Sequence, residues 1–299
     1  MYACNEYLDI VPDNVAEIGM AFQLRSSAER FLFTCYSYMP EDGTQANPAF
    51  HAGDELWLAA DNAATAWNIA RGNQNVVDSY CNYWGGSRGG KDLYEGIRQC
   101  NIFLENVGLV PDMEEYERLR WIAEAKFLKA YYHFYLTRMY GPIVLIKENE
   151  PVSANPDAVR KARSPIDSCF NYIIQLLDES ETYLPPVITA EVSELGRISK
   201  AIELSVKARV LVTAASPLFN GNPDYQGLKN KDGTPLFGAQ PDPAKWERAV
   251  DACLEAVQAQ GGTVVEGKMP IPGVGYFAAC KDTEGNLFGI IEADPSAQG

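Results

Sequence analysis

Residues 112–142 read DMEEYERLRWIAEAKFLKAYYHFYLTRMYGP, and the fold class follows from this stretch. Asp112, with Glu115 three residues on, can answer the backbone donors of a first turn, and Glu114 stands four residues before Arg118. Gly141-Pro142 stops the pattern. The spacing predicts one helix from Asp112 to Tyr140, about 40 Å long at about 1.5 Å per residue. Leu119, Ala123, Phe127, Ala130 and Phe134 form one apolar stripe, and Leu128, Tyr131, Tyr135 and Met139 form a second. A helix apolar on two sides sits inside an array of others.

Working outward, the same start and stop chemistry recurs. Ser26-Ser27-Ala28-Glu29 opens a run ending at Pro40, and Asp92-Leu93-Tyr94-Glu95 opens one ending at Gly108. Three more helices are predicted, from Ser164-Pro165 to Tyr183, Ser199 to Ala215, and Asp242-Pro243 to Gln260. Ala123, Phe127 and Ala130 recur as Ala201, Ser205 and Ala208, each 78 residues on, as does Pro165 in Pro243. This spacing, with Trp246 near a helix start, resembles the helix pairs of tetratricopeptide repeats, although convergent helical patterning would also produce it. Strands are sparse, the candidates being Ile143–Ile146, Thr263–Glu266 and Leu287–Glu292. Two long stretches, 40–91 and 217–241, lack helical period, and structureless connections of that length in compact domains usually bind something or are disordered. The aromatic content of the first argues for binding.

The 299 residues carry 25 Lys plus Arg against 40 Asp plus Glu, a formal charge of −15. Nucleic acid is an improbable partner for such a chain, because binding it requires a basic face. No apolar run is long enough for a transmembrane helix. Seven cysteines form no CxxC pair and there are only two histidines, so no metal site is expected and the cysteines read as small buried residues.

Gly85-Gly86-Ser87-Arg88-Gly89-Gly90-Lys91 approaches a phosphate-binding loop, but Asp92 stands where Ser or Thr should hold magnesium and no apolar strand precedes it. A glycine loop before a capped helix is the better reading. Asn220, Asn222 and Asp224 could supply oxygens to calcium, yet the twelve-residue spacing is absent and turn chemistry explains them. His133, among Tyr131, Tyr132, Phe134 and Tyr135, reads as a packed histidine rather than a catalytic base. Trp57, Trp67 and Trp84 place three of the five tryptophans in the 40–91 stretch beside Phe50, Tyr80 and Tyr83. Between them stand Asp61, Asn62, Asn68, Arg71, Asn73, Gln74 and Asn75. Flat rings beside planar amides suit a sugar, whose C–H face stacks on a ring while its hydroxyls meet the polar groups. The competing reading is that the tryptophans anchor the loop, and it is preferred for Trp84.

Several segments together resemble the SusD/RagB family of surface glycan-binding lipoproteins. They are Tyr94-Glu95-Gly96-Ile97-Arg98-Gln99-Cys100-Asn101-Ile102-Phe103-Leu104, Glu124-Ala125-Lys126-Phe127-Leu128-Lys129-Ala130-Tyr131-Tyr132 through Tyr140-Gly141-Pro142, Arg197-Ile198-Ser199-Lys200 through Ser216-Pro217-Leu218-Phe219-Asn220-Gly221, and Lys245-Trp246. The resemblance implies a mainly α fold of tetratricopeptide-like helix pairs with long ligand-binding loops and few short strands. It implies one domain over 1–299, with an aromatic loop region at 40–91, a scaffold at 92–260 and a partial C-terminal region at 261–299, the N-terminal portion of a longer protein. It further implies a non-catalytic protein, without cofactor, that binds oligosaccharide on its long loops, where the ring and amide pattern read above offers Trp57, Asp61, Asn62, Trp67, Asn68, Arg71 and Tyr80 as the ligand residues. Its partner would be a SusC-like TonB-dependent transporter. Ala3-Cys4-Asn5-Glu6 resembles a lipidated-cysteine junction, implying that an acyl group on Cys4 of an exported precursor holds the protein at the outer membrane. Peptide capture within the same family, a helical-repeat adaptor, and more remotely an all-helical glycosidase remain the alternatives.

Overall fold

The long helix of residues 112–142 runs from Glu115 to Tyr140 in the computed structural model, which describes residues 18–41, 52–53, 64–151, 155, 157 and 159–293. Around it lie, in chain order, α1 (Arg25–Ser37), α2 (Ala64–Ala70), α3 (Leu93–Asn106), α4 (the long helix), α5 (Ile166–Glu181), α6 (Glu191–Glu194), α7 (Lys200–Ala215) and α8 (Ala244–Ala259). α4 begins three residues after Asp112 because that carboxylate is engaged elsewhere: its Oδ1 accepts the backbone N–H of Arg25 at 2.7 Å, at the start of α1. Asp112 thus does for α1 what Ser26 and Ser27 were expected to do. Arg118 pairs with Glu115 rather than Glu114, and its guanidinium also donates to the carbonyls of Val110 and Met113. Asp92 and Ser199 do cap their helices, accepting from Glu95 N at 3.0 Å and Ile202 N at 3.4 Å.

The helices form an array in which α1 packs on α3, α3 on α4, α4 on α5, α5 on α7 and α7 on α8. Two neighbours for α4 explain why its apolar residues encircle it: Trp121, Ala123, Phe127, Leu128, Ala130, Tyr132, Phe134, Tyr135 and Leu136 are all buried. The counterparts 78 residues on are less buried. Ala208 is inside, but Ala201 is half-buried and Ser205 exposed, because α7 lies near one end of the array. Gly96 allows a close approach: a Cβ there would stand 2.9 Å from Tyr38 Cβ and 3.1 Å from Tyr132 Cε2. Ala130 is wholly buried in this core. Ala130→Leu should therefore overpack it and lower stability by about 1–3 kcal/mol in urea unfolding, whereas an unchanged midpoint would contradict the stacking.

Two buried carboxyl groups stand out. Glu124, fully buried on α4, receives Arg197 through Nε at 3.1 and 3.2 Å and through Nη2 at 2.9 Å, Arg120 Nε at 3.1 Å and the Tyr36 hydroxyl at 2.7 Å. Two of the family-like segments meet in this pair. Glu203 on α7 is equally buried, and neither of its carboxylate oxygens has a hydrogen-bond partner. Lys207, one turn on, bonds Asp178 at 2.7 Å instead.

The C-terminal part is an antiparallel meander of β1 (Thr263–Ile271), β2 (Gly275–Lys281) and β3 (Leu287–Ala293), with Val264 opposite Cys280 and Phe277 opposite Ile291, and it packs on α8. β2 was not expected from the sequence. Ile143–Ile146, expected as a strand, has no regular secondary structure and joins no sheet. Its polar groups are answered by other means: Ile143 O by Ser164 N, Val144 O by the Tyr94 hydroxyl, and Ile146 N by His133 Nε2. All six described cysteines are free thiols, and five of them are buried.

Candidate functional site

The 64–92 stretch is built on its own side chains. Ala66 is buried and Ile69 packs against the core, seating α2, and Gly72 at φ 77° turns the chain out of it. Beyond that turn the amides take the place of a strand ladder. Gln74 donates Nε2 to Tyr80 O and accepts Tyr80 N, both at 2.7 Å, while Asn75 Oδ1 receives Val77 N and Asp78 N and Asn73 Nδ2 donates to Asn68 Oδ1 at 2.9 Å. The glycine run is a closed turn: Cys81 N bonds Arg88 O, and Asn82 N bonds Ser87 O. A Cβ on Gly90 would fall 2.2 Å from Asn82 O, which only glycine avoids. Asp92 here is a helix cap, so the likeness to a phosphate loop has a structural origin.

The rings of this strap are fixed from below. Tyr83 is buried edge-on to Tyr135 at 4.7 Å, and its backbone N–H donates to the Tyr140 hydroxyl at 2.8 Å. Trp84 meets Tyr94 at 4.8 Å and Tyr140 at 5.7 Å, edge-on to both, yet stays 41% exposed. It is anchored as expected and still presents an indole surface. Burial raises the Tyr83, Tyr94 and Tyr140 hydroxyls above the usual phenol range, so these supports are neutral. Trp67 is half-buried with the Arg71 guanidinium 5.6 Å over its ring, and Tyr80 is half-buried with Arg88 at 5.0 Å; Arg88 pairs with Asp78.

Of the residues expected to bind, Trp67, Asn68, Arg71 and Tyr80 thus share one strap, in which the Asn68 carboxamide also receives the loop's own Asn73. Trp57, Asp61 and Asn62, like Phe50 and Cys4, lie outside the described residues. Arg88, Tyr94 and Tyr140 were missed as part of this face, because pattern alone does not show which helix ends meet the loop.

Other positions are occupied by structure. His133 is fully buried, with Nδ1 donating to Lys129 O at 2.8 Å and Nε2 accepting Ile146 N at 3.3 Å. Burial lowers its pKa to about 3, so it is neutral and carries the proton on Nδ1. Asn220 clamps the entry to α8, accepting Asp242 N at 2.8 Å and donating to Asp242 O at 3.0 Å, and Asn222 accepts Asp224 N. Turn chemistry accounts for both, and no cluster of ligands able to hold a metal ion occurs among the described residues. A pocket of about 330 Å³ beside the sheet, lined by Ser205, Val257, Gln260, Thr283 and Phe288, has a single ring, and a groove of about 140 Å³ between α5 and α8 has Phe170 alone. No described helix is long and apolar enough to cross a membrane.

Residues 6–211 match a family model described as SusD-like, starch-binding and associating with the outer membrane. Among solved structures, the protein BT4246 is 30% identical with a TM-score of 0.69, over 80% of this chain and 40% of its own. A laminarin-binding SusD-like protein is 20% identical with a TM-score of 0.52, over 67% and 45%, and NanU of B. fragilis is 15% identical with a TM-score of 0.57, over 83% and 44%. This chain therefore spans less than half the length of these solved relatives. No curated protein matches it.

Proposed function

Because the chain belongs to the SusD-like family of starch-binding, outer-membrane-associated proteins, we propose that it binds oligosaccharide non-catalytically at the outer cell surface and delivers it to a SusC-like TonB-dependent transporter, held to the membrane by a lipid on Cys4. The observation that carries the binding part is the strap itself. Trp67, Tyr80 and Trp84 are each at least partly exposed, with the Arg71 guanidinium over Trp67 and the Arg88 guanidinium over Tyr80, in a strap that also carries the amides of Asn68, Asn73, Gln74 and Asn75. Ring faces next to fixed polar donors are what an oligosaccharide needs to exclude water from its C–H face and keep its hydroxyls paired. Trp57, Asp61 and Asn62 belong to this proposed ligand face together with Trp67, Asn68, Arg71 and Tyr80, within a single domain whose scaffold is residues 92–260.

The test is titration calorimetry across a glycan panel. Trp67→Ala should weaken a bound oligosaccharide by about 1–3 kcal/mol, the value of a stacked ring, and leave the helical circular dichroism intact. Unchanged affinity would remove Trp67 from the site. Any glycan that binds should be recovered intact after long incubation with excess protein, and shorter products that vanish on substitution of one carboxylate would establish a glycosidase instead.

A further inference from the structure

The cations of the strap narrow the class of sugar. In a chain with 40 acids against 25 Lys and Arg, residues 64–92 carry Arg71, Arg88 and Lys91 against Asp78 and the helix cap Asp92, while residues 40–63 add Glu41, Asp42, Asp54, Glu55 and Asp61 and no cation. Two of these cations are already engaged: Arg88 pairs with Asp78, and Lys91 donates to Ser37 O at 2.8 Å. Arg71 is exposed, and among the described residues it has no carboxylate partner. Its guanidinium lies 5.6 Å over the ring of Trp67, one helical turn back, and its backbone N–H bonds Trp67 O at 3.0 Å. The guanidinium thus lies against the Trp67 ring on an exposed side chain.

From this arrangement, which rests on the glycan-binding reading above, we infer that the strap takes an oligosaccharide carrying a carboxylate, a uronic or sialic acid residue, with Arg71 as its ion-pair partner and Trp67 beneath. A planar guanidinium matches a carboxylate in two parallel hydrogen bonds, a geometry that a neutral hydroxyl cannot reproduce. A guanidinium over one face of Trp67 and another over Tyr80 also cover ring area on which a neutral sugar would stack. An acidic sugar uses that cation; a neutral one must displace it. The overall negative charge does not prevent this, because at physiological salt charges beyond about 8 Å are largely screened and the local cation dominates.

The experiment titrates the protein, Arg71→Gln and Arg71→Lys with tetragalacturonate, a hyaluronan oligosaccharide and sialyllactose, each beside its carboxyl-reduced counterpart, together with neutral laminari-oligosaccharide and a sulfated chondroitin fragment. At least one carboxylated probe should bind, its reduction should weaken binding about tenfold or more, and Arg71→Gln should weaken it about as much without weakening the reduced probe, which then has no guanidinium to displace from the Trp67 ring. Arg71→Lys, which keeps the charge without the fork, should fall between. Equal weakening of acidic and reduced probes by Arg71→Gln would overturn the ion pair. Binding of the neutral probe with none of the carboxylated ones, or of the sulfated probe alone, would overturn the acidic-sugar inference and leave glycan binding standing. Silence across the whole panel would bring down the glycan reading itself.

Discussion

Arg197→Met is expected to destabilise the protein by about 3–5 kcal/mol, because it strands a buried carboxylate. Glu124 has no exposed surface, and Arg197 supplies the two-pronged contact that offsets its desolvation. Arg120 and Tyr36 would remain, but each reaches Glu124 through one bond. The guanidinium also stands 5.7 Å over the Trp121 ring, so its removal loosens an aromatic contact as well. Urea unfolding of Arg197→Met, Glu124→Gln and the double variant gives the coupling directly. The double variant should recover much of the single loss, since no charge is then left alone; additive losses would show that the pair contributes little beyond packing.

Glu203→Gln should have the opposite sign. Burial first, and then the neighbouring acids Glu181, Asp178 and Glu255, push the Glu203 carboxyl up to about 8, while Lys207 opposes the shift. Its folded value therefore exceeds its unfolded one. The wild type loses nothing on this account below about pH 4.3, and as pH rises from there towards 8 it loses up to about 1.4 kcal/mol per unit. An amide carries no such penalty, so the substitution should leave stability near pH 4 almost unchanged and raise the melting temperature progressively at pH 6, 7 and 8. A gain that did not vary with pH would place its origin in packing. A loss would mean that the carboxylate has a stabilising partner.

Which parts of this were legible in the sequence has a physical basis. Helix bounds at Asp92, Ser199 and Gly141 were readable because capping uses residues a few positions away; the start of α1 was read to within one residue, at Ser26 against Arg25, but the group that answers its first N–H was not, since that is Asp112, 87 residues on. Ile143–Ile146 has the composition of a strand, but its partners turned out to be the side chains of Tyr94 and His133 and the backbone of Ser164, which no local pattern shows. At the candidate site the same division holds. Trp67 lies on α2 and Arg71 one turn on, just past its end, so their pairing was implicit in the spacing; the support of Trp84 by Tyr94 and Tyr140 joins residues from three parts of the chain. The amides were read as sugar ligands because Asn and Gln serve a turn and a hydroxyl equally well, and only coordinates show that Gln74 and Asn75 are already committed.

The way Gln74 and Asn75 stand in for a strand ladder bears on how freely this part of the chain can vary. Residues 72–80 satisfy their backbone largely among themselves, and the firm attachments to the helices come afterwards, at Tyr83, Trp84 and the bond from Leu93 N to Tyr83 O. Substitutions at the tip, where Val76 and Val77 are almost fully exposed, leave those attachments untouched. The strap is in this sense a cassette with its own internal fastening, so its tip can change sequence while the helical array keeps its register.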